Sequence, residues 1–293
     1  MKREVKVFPL KLKIFLLIFI IFIFVSLCLM FFVNKEGFEE GALSLKPVDY
    51  VKIIVVIDNN EGSRGLETAW GVAMYVETEN TAFLFDTGPD PTTLEINIEK
   101  LSLDIDKIDF VFISHEHGDH AGGLAYVARV KPGIKIYIPK HSSNYIKSRI
   151  RKNFSLVEVG KPEIIVDGLI SSGELYGGLY EQSLAVYVKD KGLVILTGCS
   201  HPGIENIVKH FHELTNLPIY AVIGGFHLGG ASHERLKKIA DTFKELNVKM
   251  VFPIHCSGDS ARSFFAKELG EVYKDGHVGL ELYISKDAVT IEG

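Results

Sequence analysis

The chain has 293 residues, 32 Lys and Arg against 37 Asp and Glu, and a formal net charge of −5. Its 47% hydrophobic and 24% charged residues exclude the disordered, fibrous and low-complexity classes. Three cysteines in this length exclude a disulfide scaffold, and the length suits one large domain or two small ones.

The charge is unevenly spread. Residues 1–13 carry a net +4, residues 14–33 carry none, and residues 34–293 carry −9. An uncharged apolar run of 20 residues makes a helix of roughly 30 Å, the hydrocarbon thickness of a bilayer. It ends Met30-Phe31-Phe32-Val33, with no small-residue cleavage site, so an uncleaved signal anchor is expected and a cleaved signal is the alternative. The basic flank predicts a cytoplasmic N-terminus and a body outside the membrane. The expected organisation is a basic tail and anchor over 1–33, a tether over 34–49 and a catalytic domain over 50–293. The acidic body argues against nucleic acid as a partner, which would need a basic face.

Strand-like runs rich in Val, Ile, Phe and Tyr follow at 51–58, 72–77, 82–86, 110–114, 134–138, 183–188, 193–197, 219–223, 250–254 and 279–284. Helical stripes fall at Ile204, Ile207, Val208, Phe211 and Leu214, and at Leu236, Ile239, Phe243 and Leu246. Shorter helices are expected at 91–102, 120–130 and 260–269. Early strands cluster and later ones alternate with helices, which predicts an α/β layered protein with sheets packed between helices.

The 11 histidines all lie beyond position 114. Three stand in His115-Glu116-His117-Gly118-Asp119-His120, between an apolar strand and a helix. Residues two apart in extended chain project to one side, so His115 and His117 can grip one ion while Asp119 and His120 turn toward a second. Imidazole and carboxylate suit zinc first, and also manganese or iron. His201 and His255 each follow an apolar strand, where open α/β sheets place their sites, and are read as further ligands. His227 lies in Gly224-Gly225-Phe226-His227-Leu228-Gly229-Gly230 and either meets substrate or metal or packs locally. Asp86 ends a strand and either orients a ligand histidine or makes an Asx turn. Cys199 is either a soft thiolate ligand or a small buried residue, with packing expected, and Cys256 is read as structural. The two cysteines could also pair in an oxidising compartment. His141, His210, His212, His233 and His277 lack such context and are read as surface or cap residues.

The run 115–120, the Phe85-Asp86-Thr87-Gly88 stretch and the later single histidines resemble the metallo-beta-lactamase superfamily over roughly 51–290. The resemblance implies an αββα sandwich with two divalent ions at one sheet edge. It assigns His115, His117 and His201 to the first ion, and Asp119, His120 and His255 to the second. Many members carry a bridging aspartate where this chain has Gly198-Cys199. The segments 197–204, 224–228 and 253–258 resemble the branch named for dihydropterin–ribofuranosylaminobenzene 5′-phosphate synthase, an activity of methanopterin biosynthesis. A small-molecule phosphate or diphosphate substrate is therefore expected, with Gly224, Gly225 and His227 as substrate-binding positions and Asp119 as the catalytic carboxylate. Such a centre can clamp phosphate oxygens or activate water. The expected export of the body favours the alternative of a membrane-anchored, outward-facing metal-dependent hydrolase of phosphate esters. A ligand-binding sensor without turnover is the reading from another class, against which the full ligand set argues.

Overall fold

A computed structural model describes residues 45–62 and 65–293. The expected anchor span and all but the last five residues of the expected tether lie outside the described residues. Among the described residues no helix is long and apolar enough to cross a membrane. Val48, placed in the tether by the sequence, is fully buried and exchanges backbone hydrogen bonds with Tyr187 and Lys189, so the packed body already includes it.

One sheet collects β1 (Tyr50–Ile57), β2 (Ala73–Glu77), β3 (Ala82–Phe85), β4 (Ile108–Phe112), β5 (Lys135–Pro139) and β6 (Ser155–Val159). It is completed by the hairpin β13 (Glu281–Ser285) and β14 (Val289–Glu292), in the order β14-β13-β1-β2-β3-β4-β5-β6. The second sheet holds β7 (Glu163–Val166), β8 (Leu169–Tyr176), β9 (Tyr180–Val188), β10 (Gly192–Thr197), β11 (Ile219–Gly225) and β12 (Met250–Ile254), in the order β12-β11-β10-β9-β8-β7. Strands β3 to β6 run parallel, as do β10 to β12.

Alternation along the strands builds the layers. Val51, Ile53 and Val55 of β1 face the second sheet and share a core with Leu184, Val186, Leu196, Ile223 and Phe252. Ile54 and Val56 point the other way, toward Leu94, Ile98, Leu124, Ile146 and Ile150. Those residues belong to α1 (Pro91–Lys100), α3 (Leu124–Val130) and α4 (Asn144–Asn153). A four-residue helix, α2 (Gly118–Ala121), precedes α3. On the far side of the second sheet, α5 (Ile204–Thr215), α6 (His233–Glu245) and α7 (Asp259–Leu269) bury Ile207, Phe211, Ile239, Phe243 and Phe265. Because each sheet is apolar on both faces, each needs a cover on its outer side, and the result is the expected αββα sandwich.

The expected helix over 120–130 is two helices broken at Gly122-Gly123. Four strands and one helix were absent from the sequence reading: β6, β7, β8, β14 and α4.

Candidate metal centre

The carboxyl ends of β3, β4, β10, β11 and β12 meet at one edge of the sandwich, and each delivers a polar residue there. Four of these residues, Asp86, Ser200, His227 and His255, hold left-handed backbone, with φ between 49° and 59°. Non-glycine residues enter that region at a cost, and here the cost is concentrated where the strands stop and turn their side chains inward.

Side-chain partners aim the histidine rings from behind. Asp86 Oδ1 accepts the Ser114 N–H and Oδ2 accepts the Ser114 hydroxyl, each at 2.7 Å. The same Oδ2 lies 2.7 Å from His120 Nδ1. Ser114 Oγ stands 2.9 Å from His115 Nδ1, and Asn59 Oδ1 stands 3.1 Å from His255 Nδ1. Asp58, wholly buried, accepts the His255 N–H at 2.7 Å. With Nδ1 engaged, the Nε2 atoms of His115, His120 and His255 face the centre, the arrangement by which an outer partner fixes a ligand tautomer. Asp86 thus holds the His120 ring and the Ser114 turn together, as a carboxylate that orients a histidine would.

The inward atoms form two sets, each within 4.8 Å: His115, His117 and His201, and Asp119, His120 and His255. His201 Nε2 is buried without a hydrogen-bond partner, and His255 Nε2, equally buried, has the Asp119 carboxylate 3.3 Å away. An orphaned buried nitrogen costs about 1–3 kcal/mol, so His201 Nε2 aimed into this cluster indicates a group that accepts its lone pair. The donor set of imidazoles, a carboxylate and a thiol fits a divalent transition metal.

Cys199 stands between the sets. Its Sγ is grouped within 4.8 Å with His115 and His120, with His201 and His227, and with His255 and Cys256. It lies 3.2 Å from His120 Nε2. Cys199 is buried, as a packing residue would be, and its position among these ring nitrogens also suits the thiolate role that the sequence set beside packing. Cys256 Sγ lies 3.3 Å from Cys199 Sγ, both are free thiols, and Cys256 also accepts the His227 N–H at 3.3 Å. The contact between the sulfurs draws the Cys256 thiol down and pushes that of Cys199 up.

The electrostatics keep the cluster ready for a cation. Burial, reinforced by neighbouring histidines, lowers His201 to about 4 and His115 well below the ordinary value. Burial works against His120 in the same way, but Asp86 and Asp119 outweigh it and raise that ring. Burial opposes ionisation of Asp119 too, yet His255 and His120 bring it down to about 2, so it is a carboxylate at neutral pH.

Glu181 carries a role that the sequence did not reveal. It is 1% exposed on β9, and its carboxylate accepts the backbone N–H groups of Cys199, Ser200 and His201 at 2.7–2.9 Å. It shapes the turn that presents Cys199 and His201. Burial raises its pKa against the pull of those three donors.

The Gly225 N–H is not a free donor for an anion. Gly225 gives its N–H to Gly198 O at 2.9 Å, and a Cβ there would meet that oxygen at 2.6 Å. A Cβ on Gly224 would strike the Thr197 carbonyl. These glycines let β10 and β11 close up, a packing role that the sequence did not reveal. His227 does reach the site: its exposed ring lies 4.5 Å from that of His201. Of the remaining histidines, His212 and His277 make local contacts to backbone carbonyls, His210 reaches the Ser172 carbonyl on β8, and His141 is held by Glu174.

The family model for the Metallo-beta-lactamase superfamily matches residues 71–255. A 7,8-dihydropterin-6-methyl-4-(beta-D-ribofuranosyl)-aminobenzene-5′-phosphate synthase of Methanocaldococcus jannaschii is 27% identical over 288 residues, covering 81% of this chain and 98% of its own. An uncharacterised protein of the same organism is 30% identical over 258 residues, covering 78% of this chain and 98% of its own. The crystal structure of a metal-dependent hydrolase of the beta-lactamase superfamily superposes with a TM-score of 0.70 at 29% identity, covering 80% of this chain and 100% of that one.

Proposed function

The chain belongs to the metallo-beta-lactamase superfamily and is an enzyme of that fold, and from that premise we propose that it binds two divalent ions, zinc first among them, and acts on a small phosphate- or diphosphate-bearing substrate. The observation that carries the reading is the convergence of two sets of ligand atoms, each within 4.8 Å, with the buried His201 Nε2 left unpartnered among them. His115, His117 and His201 would hold one ion, Asp119, His120 and His255 the other, and the Cys199 sulfur lies where it can serve both. The likeness to the methanopterin-type synthase supports a substrate that carries phosphate or diphosphate.

Two divalent ions so held would neutralise charge on phosphate oxygens and lower the pKa of a water molecule. The chain's own residues do the rest. Asp86, Ser114 and Asn59 lock the rings that face the centre, so the ligand geometry is set before substrate arrives. Asp119 stays ionised, 3.3 Å from His255 Nε2, and can accept a proton or orient the attacking group. His227, its pKa raised chiefly by its hydrogen bond to Cys256, presents an exposed ring beside His201 that can meet the substrate.

The test is metal content of the purified chain together with turnover on a panel of diphosphates and phosphate monoesters. Binding of two ions per chain, with turnover on at least one phosphate class, is expected. A chain that takes up no metal, or turns over none of the panel when loaded, overturns the reading.

A second reading differs in location and reaction: a membrane-anchored hydrolase whose body faces outward. The uncharged run 14–33 behind a basic flank favours it. Topology reporters fused at either end separate the two, since a cytoplasmic C-terminal reporter removes the outward reading.

A further inference from the structure

Between the end of β5 and the start of α4 the chain reads Lys140-His141-Ser142-Ser143. The His141 side chain is 57% exposed, yet a carboxylate from the other sheet fixes it. Glu174 of β8, with a side chain only 7% exposed, accepts the His141 backbone N–H on Oε2 at 2.8 Å and meets ring Nδ1 with Oε1 at 2.5 Å. Burying a carboxylate is costly unless it is paired, and this one is committed to a single exposed imidazole. Tyr180 stacks on the ring, with centroids 4.7 Å apart and planes inclined at 28°. With Nδ1 engaged and one face covered, Nε2 is the atom left to meet a ligand.

The loop stands beside the metal centre. Strands β4 and β5 are parallel neighbours, with Phe112 opposite Tyr137, and strands of one sheet lie about 4.8 Å apart. Past its end β4 delivers His115 and His117, and past its own end β5 delivers His141. Ser143 donates its N–H to Glu116 Oε2 at 2.7 Å, and Glu116 separates those two ligand histidines in the chain. From the second sheet, Gly177 abuts the backbone of His201, and its turn leads into Tyr180. His141 is therefore bracketed by the segments that carry His117 and His201.

We propose that His141 is a further catalytic residue, the acid that protonates the oxygen leaving phosphorus, and that Glu174 positions it. The proposal rests on the phosphate reading above. A ring that gives Nδ1–H to a carboxylate and turns Nε2 outward has the arrangement of an acid–base histidine. As water attacks, its oxygen bonds to phosphorus and one of its protons passes to Asp119. The bond from phosphorus to the departing oxygen breaks, the electron pair stays on that oxygen, and the proton of His141 Nε2 joins it. His141 is left neutral, with its proton on Nδ1 toward Glu174. It takes its next proton from solvent, and Asp119 returns its own there.

The metal-loaded full chain is assayed on two esters. One is para-nitrophenyl phosphate, whose phenolate leaves without a proton, and the other is phenyl phosphate, whose leaving oxygen is far more basic. His141→Gln should lower kcat/KM for phenyl phosphate about a hundredfold and that for para-nitrophenyl phosphate less than about threefold, with metal content unchanged. Glu174→Ala should show the same selective loss, and Glu174→Gln, which still offers an oxygen to Nδ1, should recover most of it. A residue that merely supports the fold would lower both rates alike. Equal losses on the two esters, or no loss on phenyl phosphate in His141→Gln, overturn the proposal and leave the phosphate reading standing. A parent that turns over neither ester overturns it too, and if that parent turns over no diphosphate either, the phosphate reading fails with it.

Discussion

Cys199 and His201 are two residues apart on one turn, and the chemistry of each makes a separate demand. A thiolate that ligates zinc gives a metal–sulfur distance of about 2.3 Å, while a packed thiol gives none. With the Cys199 Sγ set among the nitrogens of both ligand groups, X-ray absorption of the zinc-loaded chain should show such a sulfur neighbour. Cys199→Ser should lose it and bind metal more weakly, and Cys256→Ser should keep it. A spectrum without sulfur, or one unchanged in Cys199→Ser, returns Cys199 to a packing role. His201 is tested through acid. Its folded pKa of about 4 lies below the ordinary 6.5, so between these values the unfolded chain binds more protons than the folded one. Stability supplied by the neutral ring is then present above about pH 6.5 and is lost as the pH falls toward 4. Metal-stripped His201→Gln should therefore show a flatter decline of its thermal midpoint across that window than the parent. Parallel declines would mean that His201 titrates normally in the fold. Both residues stand out in the sequence because metal chemistry is local: a histidine or cysteine just past an apolar strand is visible without a fold. Trp70 and Asn59 were not visible, since their contacts to His255 span 185 and 196 positions of chain and arise only when β1 and β12 are brought together.

Elements were legible in proportion to how uniformly apolar they are. The runs that became β1 to β5 and β9 to β13 are rich in Val, Ile and Phe, and their alternation or continuity shows through. Strand β8 was missed because Ser171, Ser172 and Gly173 interrupt it, and there its register against β9 shifts. Helix α4 was missed because Asn144–Asn153 is largely basic and polar, with only Ile146 and Ile150 making an apolar stripe. Its start did carry a signal, the Ser143 side chain capping the Ile146 N–H. Strand β9 was read from position 183, which left Glu181 outside it and its role unseen. That role gives a prediction for the element. Glu181→Ala orphans the buried N–H groups of Cys199, Ser200 and His201 and should cost on the order of 3 kcal/mol, read as a lower urea midpoint. Metal affinity should fall with it, because the turn that carries Cys199 and His201 loses its template. Glu181→Gln keeps one acceptor oxygen and should fall between. A Glu181→Ala chain as stable as the parent would show that water satisfies the turn equally well.

At the scale of the molecule the centre is a seam. His115, His117, Asp119 and His120 come from the loop and the short helix α2 after β4 of one sheet, while His201 and His255 come after β10 and β12 of the other. Each ligand set therefore contains residues from both halves of the sandwich, and an ion in either set ties the sheets together at an edge where the shared apolar core gives way to polar side chains. Ligand that binds only the folded state stabilises by mass action, about 4 kcal/mol at a thousandfold excess over the dissociation constant. Chelation should accordingly lower the thermal midpoint by several degrees, and added zinc should restore it in proportion to the logarithm of its concentration. The two sets should separate in single variants. His117→Ala should lose the ion it shares with His115 and His201 and keep the other, whereas His255→Ala should do the reverse, so each variant retains about half the metal and a smaller response to chelator. The same half of the metal lost in both would merge the two sets into one site. No change of midpoint on chelation would mean that the sandwich is fully held by its core and that the ions contribute to chemistry alone.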